Sequence, residues 1–98
     1  MSDTVMVIAL IRAKPGKEQQ VKEALLALCA PTRAEQGCIN YDLHQSQEDS
    51  TQFAFHENWA SQSDLDAHRQ SPHMRAHRKR AQEWLAEPTR VTLWTRIG

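Results

Sequence analysis

The sequence predicts a small α+β fold, a ferredoxin-like β-α-β-β-α-β antiparallel sheet with helices on one face. Two observations predict it. Segments with the two-residue alternation of strands and segments with helical spacing follow one another in this order along 98 residues, a length that suits a single domain over 1–98. The first strand is also apolar on both of its faces, which predicts that both faces of the sheet are covered.

The first strand is expected over residues 5–13, where a run rich in valine and isoleucine ends at a Lys-Pro-Gly turn. One face carries Val5, Val7, Ala9 and Ile11, and the other carries Met6, Ile8 and Leu10. One layer of helices can cover only one of these faces. We therefore expect a homodimer, in which the second face is buried against the sheet of a second copy to form a dimeric α/β barrel.

The first helix is expected over residues 17–36, since apolar residues recur there at i, i+4 and i+7. These residues are Val21, Leu25 and Leu28. Pro31 lies inside the pattern and predicts a kink or a short second segment. Gly37 supplies the signal for the end of the helix.

Two strands joined by a polar hairpin loop at 47–50 are expected next, over 39–45 and 52–59. The second of them separates its side chains into two sets. One face carries Phe53, Phe55, Glu57 and Trp59, and the other carries Ala54, His56 and Asn58. The first set predicts an apolar wall with one carboxylate in it.

The last third of the chain predicts a short helix over 64–69, a second long helix and a final strand over 90–97. Serine hydroxyls precede the short helix, and Ser71 with Pro72 opens the long one as N-cap and first helical residue. The long helix is expected to reach 87. Its apolar face would carry Met74, His77, Ala81, Trp84 and Leu85.

Composition excludes several classes of function. Twelve basic and twelve acidic residues give no net charge, so nothing attracts the chain to nucleic acid or to anionic lipid. The longest apolar runs, 5–11 and 24–30, are far shorter than the roughly 20 residues that span a bilayer. No signal peptide is recognisable, so we expect a cytoplasmic protein in which Cys29 and Cys38 stay reduced.

Four segments in order carry a resemblance to a known family. They are the strand and turn over 7–16, an E-x-G-C-x-x-Y segment over 35–41, an E-x-W strand end over 57–59, and an H-x-x-S-P-H segment over 68–73. Together they resemble the antibiotic biosynthesis monooxygenase (ABM) domain family of dimeric α+β barrels, and the last segment is most similar to its quinol monooxygenase-like branch. The resemblance covers nearly the whole chain.

The resemblance implies a monooxygenase that oxidises a small hydroxylated aromatic or quinol substrate with O2 and needs no cofactor. In that chemistry the enzyme removes a phenolic proton, and the electron-rich anion reduces O2 directly. The protein then supplies an apolar pocket, a base and a means of stabilising the anion. Two alternatives stay open: an isomerase-like enzyme acting on a small carbonyl compound, and a non-catalytic module that binds a small molecule.

Candidate site residues follow from the resemblance and from the strand pattern. The catalytic candidates are His44, Trp59 and His68, and the substrate-binding candidates are Ala9, Phe55, Glu57 and His73. Trp59 stands at the family's strand-end tryptophan. His44 resembles a histidine near the substrate carbonyl of some anthrone oxygenases, and Ala9 stands where haem-degrading members carry an asparagine.

Several candidates also have structural interpretations. His44 is either a base or a surface histidine, and Glu57 either transfers protons or forms a salt bridge to Arg12 or Arg96. His73 and His77 have the i, i+4 spacing of metal ligands, but two imidazoles without a matching carboxylate predict no metal site. The basic run on the second long helix is interpreted as a solvated face. It comprises Arg75, Arg78, Lys79 and Arg80.

Overall fold

A computed structural model describes residues 3–98, and within them the chain forms four strands and three helices. The strands are β1 (Val5–Arg12), β2 (Cys38–Gln45), β3 (Gln52–Trp59) and β4 (Arg90–Trp94). The helices are α1 (Glu18–Arg33), α2 (Gln62–Arg69) and α3 (Pro72–Ala81). The predicted α+β class and the order of its elements are confirmed.

The strands form one antiparallel sheet in the order β2-β3-β1-β4, so the most apolar strand is an inner one. Ala9 of β1 lies opposite Phe55 on one side and Val91 on the other. The predicted face of β3 is buried beneath the helices together with Val7, Ala9 and Ile11. This helix-covered face and the buried side of α1 form the core of the protein.

The first helix is continuous, so the second segment suggested by Pro31 does not form. Proline removes one backbone donor, but only two helical residues follow it, and the lost bond falls in the last turn. The helix ends at Arg33 and not at 36. Gly37 lies three residues beyond the C-cap Ala34, so the prediction that it ends the helix is wrong; with a φ of 81° it instead turns the chain into β2.

Serine caps open both of the later helices. The hydroxyl of Ser61 accepts a hydrogen bond from the Asp64 amide, and that of Ser71 accepts one from the Met74 amide. Pro72 occupies the first turn of α3, as predicted.

The prediction that the second long helix reaches 87 is wrong, since α3 ends at Ala81. The carbonyl of Trp84 accepts a hydrogen bond from the amide of Lys14, and Leu85 forms an antiparallel bridge with Ala13. The segment after Ala81 therefore bonds to the end of β1. Its side chains still pack on the core, which is why their spacing resembled a helix.

The final strand also ends earlier than predicted, at Trp94 and not at 97. Trp94 lies opposite Met6, so β1 has only Val5 left to pair with a longer strand. The exposed side of the sheet, here called the open face, carries alternate residues of all four strands, including Met6, Ile8 and Leu10. Both cysteines are free. Of the helices in residues 3–98, none is long and apolar enough to cross a bilayer.

Candidate active site

A cavity of about 820 Å³ lies between the helix-covered face of the sheet and helices α2 and α3. Its sheet side is mainly apolar, and its polar side chains come mainly from β3, from the end of α2 and from α3. The lining includes Val7, Ala9, Ile11, Tyr41, Phe55, Glu57, Leu65, His68, Arg69, Met74, His77, Arg78 and Val91. An apolar cavity of this size with a few polar groups is typical of small-molecule sites.

His68 is the buried imidazole of this cavity, and Glu35 holds it from behind. Nδ1 of His68 lies 2.7 Å from Oε2 of Glu35. The carboxylate can only accept, so Nδ1 carries the proton and Nε2 keeps its lone pair for a ligand in the cavity. Burial lowers the pKa of His68, and the adjacent Glu35 opposes that shift. The arrangement therefore supplies a neutral, oriented base.

Glu35 also binds a second histidine with the same oxygen. Nε2 of His73 lies 3.0 Å from Oε2 of Glu35 and 3.2 Å from Oγ1 of Thr32. The donor atoms of Glu35, His68 and His73 lie within 4.8 Å of one another, so this trio could also hold a divalent ion. The sequence paired His73 with His77, whereas the structure pairs it with His68.

Glu57 and Trp59 form the second polar feature of the site. Nε1 of Trp59 donates a 2.8 Å hydrogen bond to Oε1 of Glu57, and the indole packs against His68 at an interplanar angle of 32°, with ring centroids 4.7 Å apart. Burial raises the pKa of Glu57 to about 6, against the opposing effects of the Trp59 hydrogen bond and of Arg69. A carboxyl group with this pKa can exchange a proton near neutral pH.

The alternative of a Glu57 salt bridge to Arg12 or Arg96 is wrong. Arg12 pairs with Asp49 at 3.0 Å and with Glu87 at 2.9 Å. Arg96 donates to the carbonyl of the C-terminal glycine. Glu57 instead lies inside the cavity, where a charged partner from the strand ends does not reach it.

The structure brings together most of the predicted site residues. Ala9, Phe55, Glu57 and His68 line the cavity. Trp59 is fully buried beside them, in contact with Glu57 and His68.

The remaining two candidates, His73 and His44, also lie outside the lining. His73 lies behind His68 and contacts it through Glu35. His44 is exposed on the open face, beside a separate cavity of about 490 Å³ that Leu10 and Arg90 also line. His44 is thus on the side of the sheet opposite to the other candidates.

Sequence reasoning missed Glu35, Tyr41 and Arg69 as site residues. Glu35 and Tyr41 both belong to the E-x-G-C-x-x-Y segment, which was used only as a mark of the family. Tyr41 stacks on Phe55 with ring centroids 4.3 Å apart and lines the cavity, where burial raises its pKa. No local sequence pattern connects Glu35 with His68, which lies 33 residues further along the chain.

An oriented histidine in an apolar cavity over a ferredoxin-like sheet defines a small-molecule site of the α+β class. A family model described as Antibiotic biosynthesis monooxygenase (ABM) matches residues 4–80, and the chain belongs to this family. It is 38% identical over 93 residues to Rv0793 of Mycobacterium tuberculosis, and these residues cover 95% of this chain and 91% of that protein.

Solved structures share the fold over almost the whole chain. PA3566 from Pseudomonas aeruginosa is 34% identical with a TM-score of 0.94, covering 100% of this chain and 98% of that one. The structure of Rv0793 gives a TM-score of 0.91 at 35% identity, covering 97% and 96%. A crystallised antibiotic biosynthesis monooxygenase is 28% identical with a TM-score of 0.90, covering 96% and 99%.

Proposed function

We propose that this member of the ABM family is a cofactor-independent monooxygenase that oxidises a small hydroxylated aromatic or quinol substrate with O2. The observation that carries the proposal is the 2.7 Å contact between Glu35 and His68, which leaves a neutral base inside an apolar cavity. The phenyl and phenol rings of Phe55 and Tyr41 offer flat walls to an aromatic ring.

The chemistry assigned to this site balances without an added electron donor. His68 takes the phenolic proton on Nε2, and the resulting anion gives one electron to O2. The radical pair joins in a C–O bond, and His68 returns its proton to the outer oxygen, which gives a hydroperoxide and restores the neutral base. The same carbon then loses its proton while the O–O bond breaks, so that a carbonyl and water are formed. The quinol thus supplies all four electrons that reduce O2.

Oxygen consumption tests this proposal against the two alternatives. A panel of quinols and anthrones is presented to the protein in an oxygen electrode, and the products are identified by mass spectrometry with ¹⁸O2. One labelled oxygen atom in the product is expected. Conversion of a carbonyl compound without oxygen uptake would instead identify an isomerase, and tight binding without any turnover would identify a binding module.

Two histidine variants test which imidazole is the base. His68→Gln is expected to lower kcat by on the order of 100-fold, since a positioned general base contributes about that much or more. His44→Gln changes an exposed imidazole on the other face of the sheet, so a small effect is expected. A large loss in His44→Gln with an active His68→Gln variant would refute the assignment.

We also propose that the protein is a homodimer joined through its open face. Leu10 of β1 is 47% exposed there, and Trp94 of β4 is 51% exposed. Met6 lies opposite Trp94, and Ile8 lies between Met6 and Leu10 on the same face of β1. Apolar area of this kind gains about 25 cal/mol per Å² when it is removed from water. A second copy of the same face would supply the cover, by isologous pairing.

A cytoplasmic location is the remaining part of the proposal. Cys29 is buried and Cys38 is partly buried, and both are unpaired. Free thiols persist in the reducing cytoplasm, whereas oxidising compartments favour disulfides. Fractionation of cells that express the intact protein, with thiol labelling of each fraction, would test it.

A further inference from the structure

We propose that the substrate carries an anionic group, bound by Arg69 with help from Arg78 at the helix end of the cavity, so that it is a hydroxylated aromatic acid. The claim that the bound ring is a hydroxylated aromatic that is oxidised rests on the proposed function, whereas the anion subsite is inferred from the residues that line the cavity. Both arginines line that cavity.

Among the residues that the structure describes, neither arginine at this end of the cavity is paired directly with a carboxylate. The cavity lining contains two carboxylates, Glu57 and Glu87. Glu87 is already paired with Arg12, and Glu57 accepts the Trp59 hydrogen bond. In the described part of the chain neither Arg69 nor Arg78 forms an ion pair with a carboxylate. A partly buried guanidinium that borders an apolar cavity without a directly paired carboxylate, as that of Arg69 does, favours an anionic ligand.

A hydrogen bond at the end of α2 positions the side chain of Arg78 beside Arg69. Arg69 is the last residue of α2, and the guanidinium of Arg78 donates a 2.7 Å hydrogen bond to its carbonyl. This contact fixes Arg78 across the gap between α2 and α3. The guanidinium of Arg69 makes no hydrogen bond within residues 3–98. Its planar fork can therefore take both oxygens of a carboxylate.

Arg69 is also close to the groups assigned to proton transfer. Burial raises the pKa of Glu57 and lowers that of His68, and the charge of Arg69 opposes the first shift and adds to the second. An anion bound by Arg69 therefore lies within the same cavity as the base and not on a remote surface. The acid group of the substrate and its reacting hydroxyl would then both lie in this one cavity.

The test compares two ligands that differ only in charge. 6-Hydroxy-2-naphthoate and its carboxamide share the same rings and hydroxyl, and neither is a quinol, so binding is measured by calorimetry without turnover. The wild-type protein is expected to bind the acid about tenfold more tightly than the amide, as a charge-assisted contact implies. Equal binding of the two, or no detectable binding of the acid, would overturn the proposal.

Variants assign the preference to the named side chain. Arg69→Gln is expected to reduce the tenfold preference to less than about twofold, and Arg69→Lys to keep part of it. Arg75→Gln is the matched control, because Arg75 is exposed on α3 and lies outside the cavity lining. A thermal unfolding scan of each variant identifies misfolded protein, and Arg78→Gln then serves as the second cavity variant. An unchanged preference in both Arg69→Gln and Arg78→Gln would contradict the proposal.

These measurements fail independently of the proposed oxidation. A preference for the acid without oxygen uptake on any quinol would leave the anion subsite in place and refute the monooxygenase. Oxygen uptake without a preference for the acid would support the monooxygenase and refute the anion subsite. A preference lost equally in Arg75→Gln would identify general surface attraction and overturn the subsite.

Discussion

One oxygen of Glu35 accepts from two imidazoles, and this places the residue between the cavity and the helices behind it. Oε2 lies 2.7 Å from Nδ1 of His68 and 3.0 Å from Nε2 of His73. A carboxylate in this position fixes the ring orientation and the tautomer of the histidine that it holds. Glu35 is therefore a positioning residue, which acts on the substrate only through His68.

Replacing Glu35 by glutamine tests this role. The amide of the Glu35→Gln variant keeps an acceptor but loses the charge that raises the pKa of His68. We expect kcat/KM to fall by on the order of 10–100-fold. The acid limb of its pH profile should move to lower pH, because the base then stays unprotonated to a lower pH. Glu23→Gln, on the exposed side of α1, is the matched control. A fall in rate with an unmoved acid limb would indicate a structural role only.

Glu57 predicts a pH dependence of stability. Its pKa is raised from 4.5 to about 6 in the folded protein, so the native state holds its proton more strongly than the unfolded chain does. The resulting stabilisation is complete below about pH 4.5 and is lost as the pH rises through about 6. The difference corresponds to about 2 kcal/mol.

Glu57→Gln removes this titration while keeping an acceptor for Trp59. The free energy of unfolding of the variant minus that of the wild type should therefore be about 2 kcal/mol larger at about pH 7.5 than at about pH 4. Urea unfolding followed by tryptophan fluorescence at the two pH values measures the difference. If variant and wild type differ in stability by the same amount at both pH values, burial does not raise the pKa of this carboxyl.

Helix α2 is joined to the start of β2 by a close contact at Gly37. This glycine has a φ of 81°, and a Cβ built on it would overlap the side chain of Asp64, including its Cβ. Asp64 is in turn held by Ser61, the N-cap of α2. The contact helps to set α2, and with it His68, at the end of the sheet.

Alanine at Gly37 is expected to destabilise the protein by about 3 kcal/mol, the sum of left-handed backbone strain and overpacking. Gly16→Ala is the matched control, since Gly16 has a φ of 88° but nothing within 4 Å of an added Cβ. It should cost only about 1 kcal/mol. The denaturant midpoints of the two variants measure the difference in stability, provided that both variants unfold with the same dependence on denaturant concentration. Equal losses would mean that the contact with Asp64 relaxes without cost.

Sequence patterns predicted elements wherever one periodicity covered a whole segment. The alternation of β3 and the spacing of α1 gave the right faces, and the Ser-Pro signal placed the start of α3 at Pro72. The end of α3 was missed because Leu85 forms a β-bridge with Ala13, a partner more than seventy positions away in the chain. Local spacing carries no information about such a contact.

The candidate site shows the same division between local and distant contacts. Glu57 and Trp59 share a strand face, so their common wall could be predicted from alternation. Glu35 and His68 are 33 residues apart, and only the fold brings them to hydrogen-bond distance. His44 shares its strand with Tyr41, but the alternation of β2 directs it to the other face of the sheet.

At the scale of the whole molecule, the sheet has more apolar surface than its own helices cover. The helices occupy the face of Val7, Ala9 and Ile11, which is buried. The open face keeps half-exposed apolar residues on β1 and β4 beside the polar residues of β2 and β3. A stable dimer interface buries on the order of 1,200–2,000 Å². This face is the surface on which a second copy can supply it.

Leu10→Glu tests the proposed dimer on that face. Leu10 is 47% exposed on the open face, and a carboxylate buried there between two sheets would lack a solvated environment. We expect the dimer dissociation constant to rise by on the order of 100-fold, measured by sedimentation equilibrium at micromolar concentration. Leu26→Glu is the matched control, because Leu26 is 52% exposed on α1, away from the open face. A monomeric wild type, or equal association of both variants, would refute a dimer built through β1.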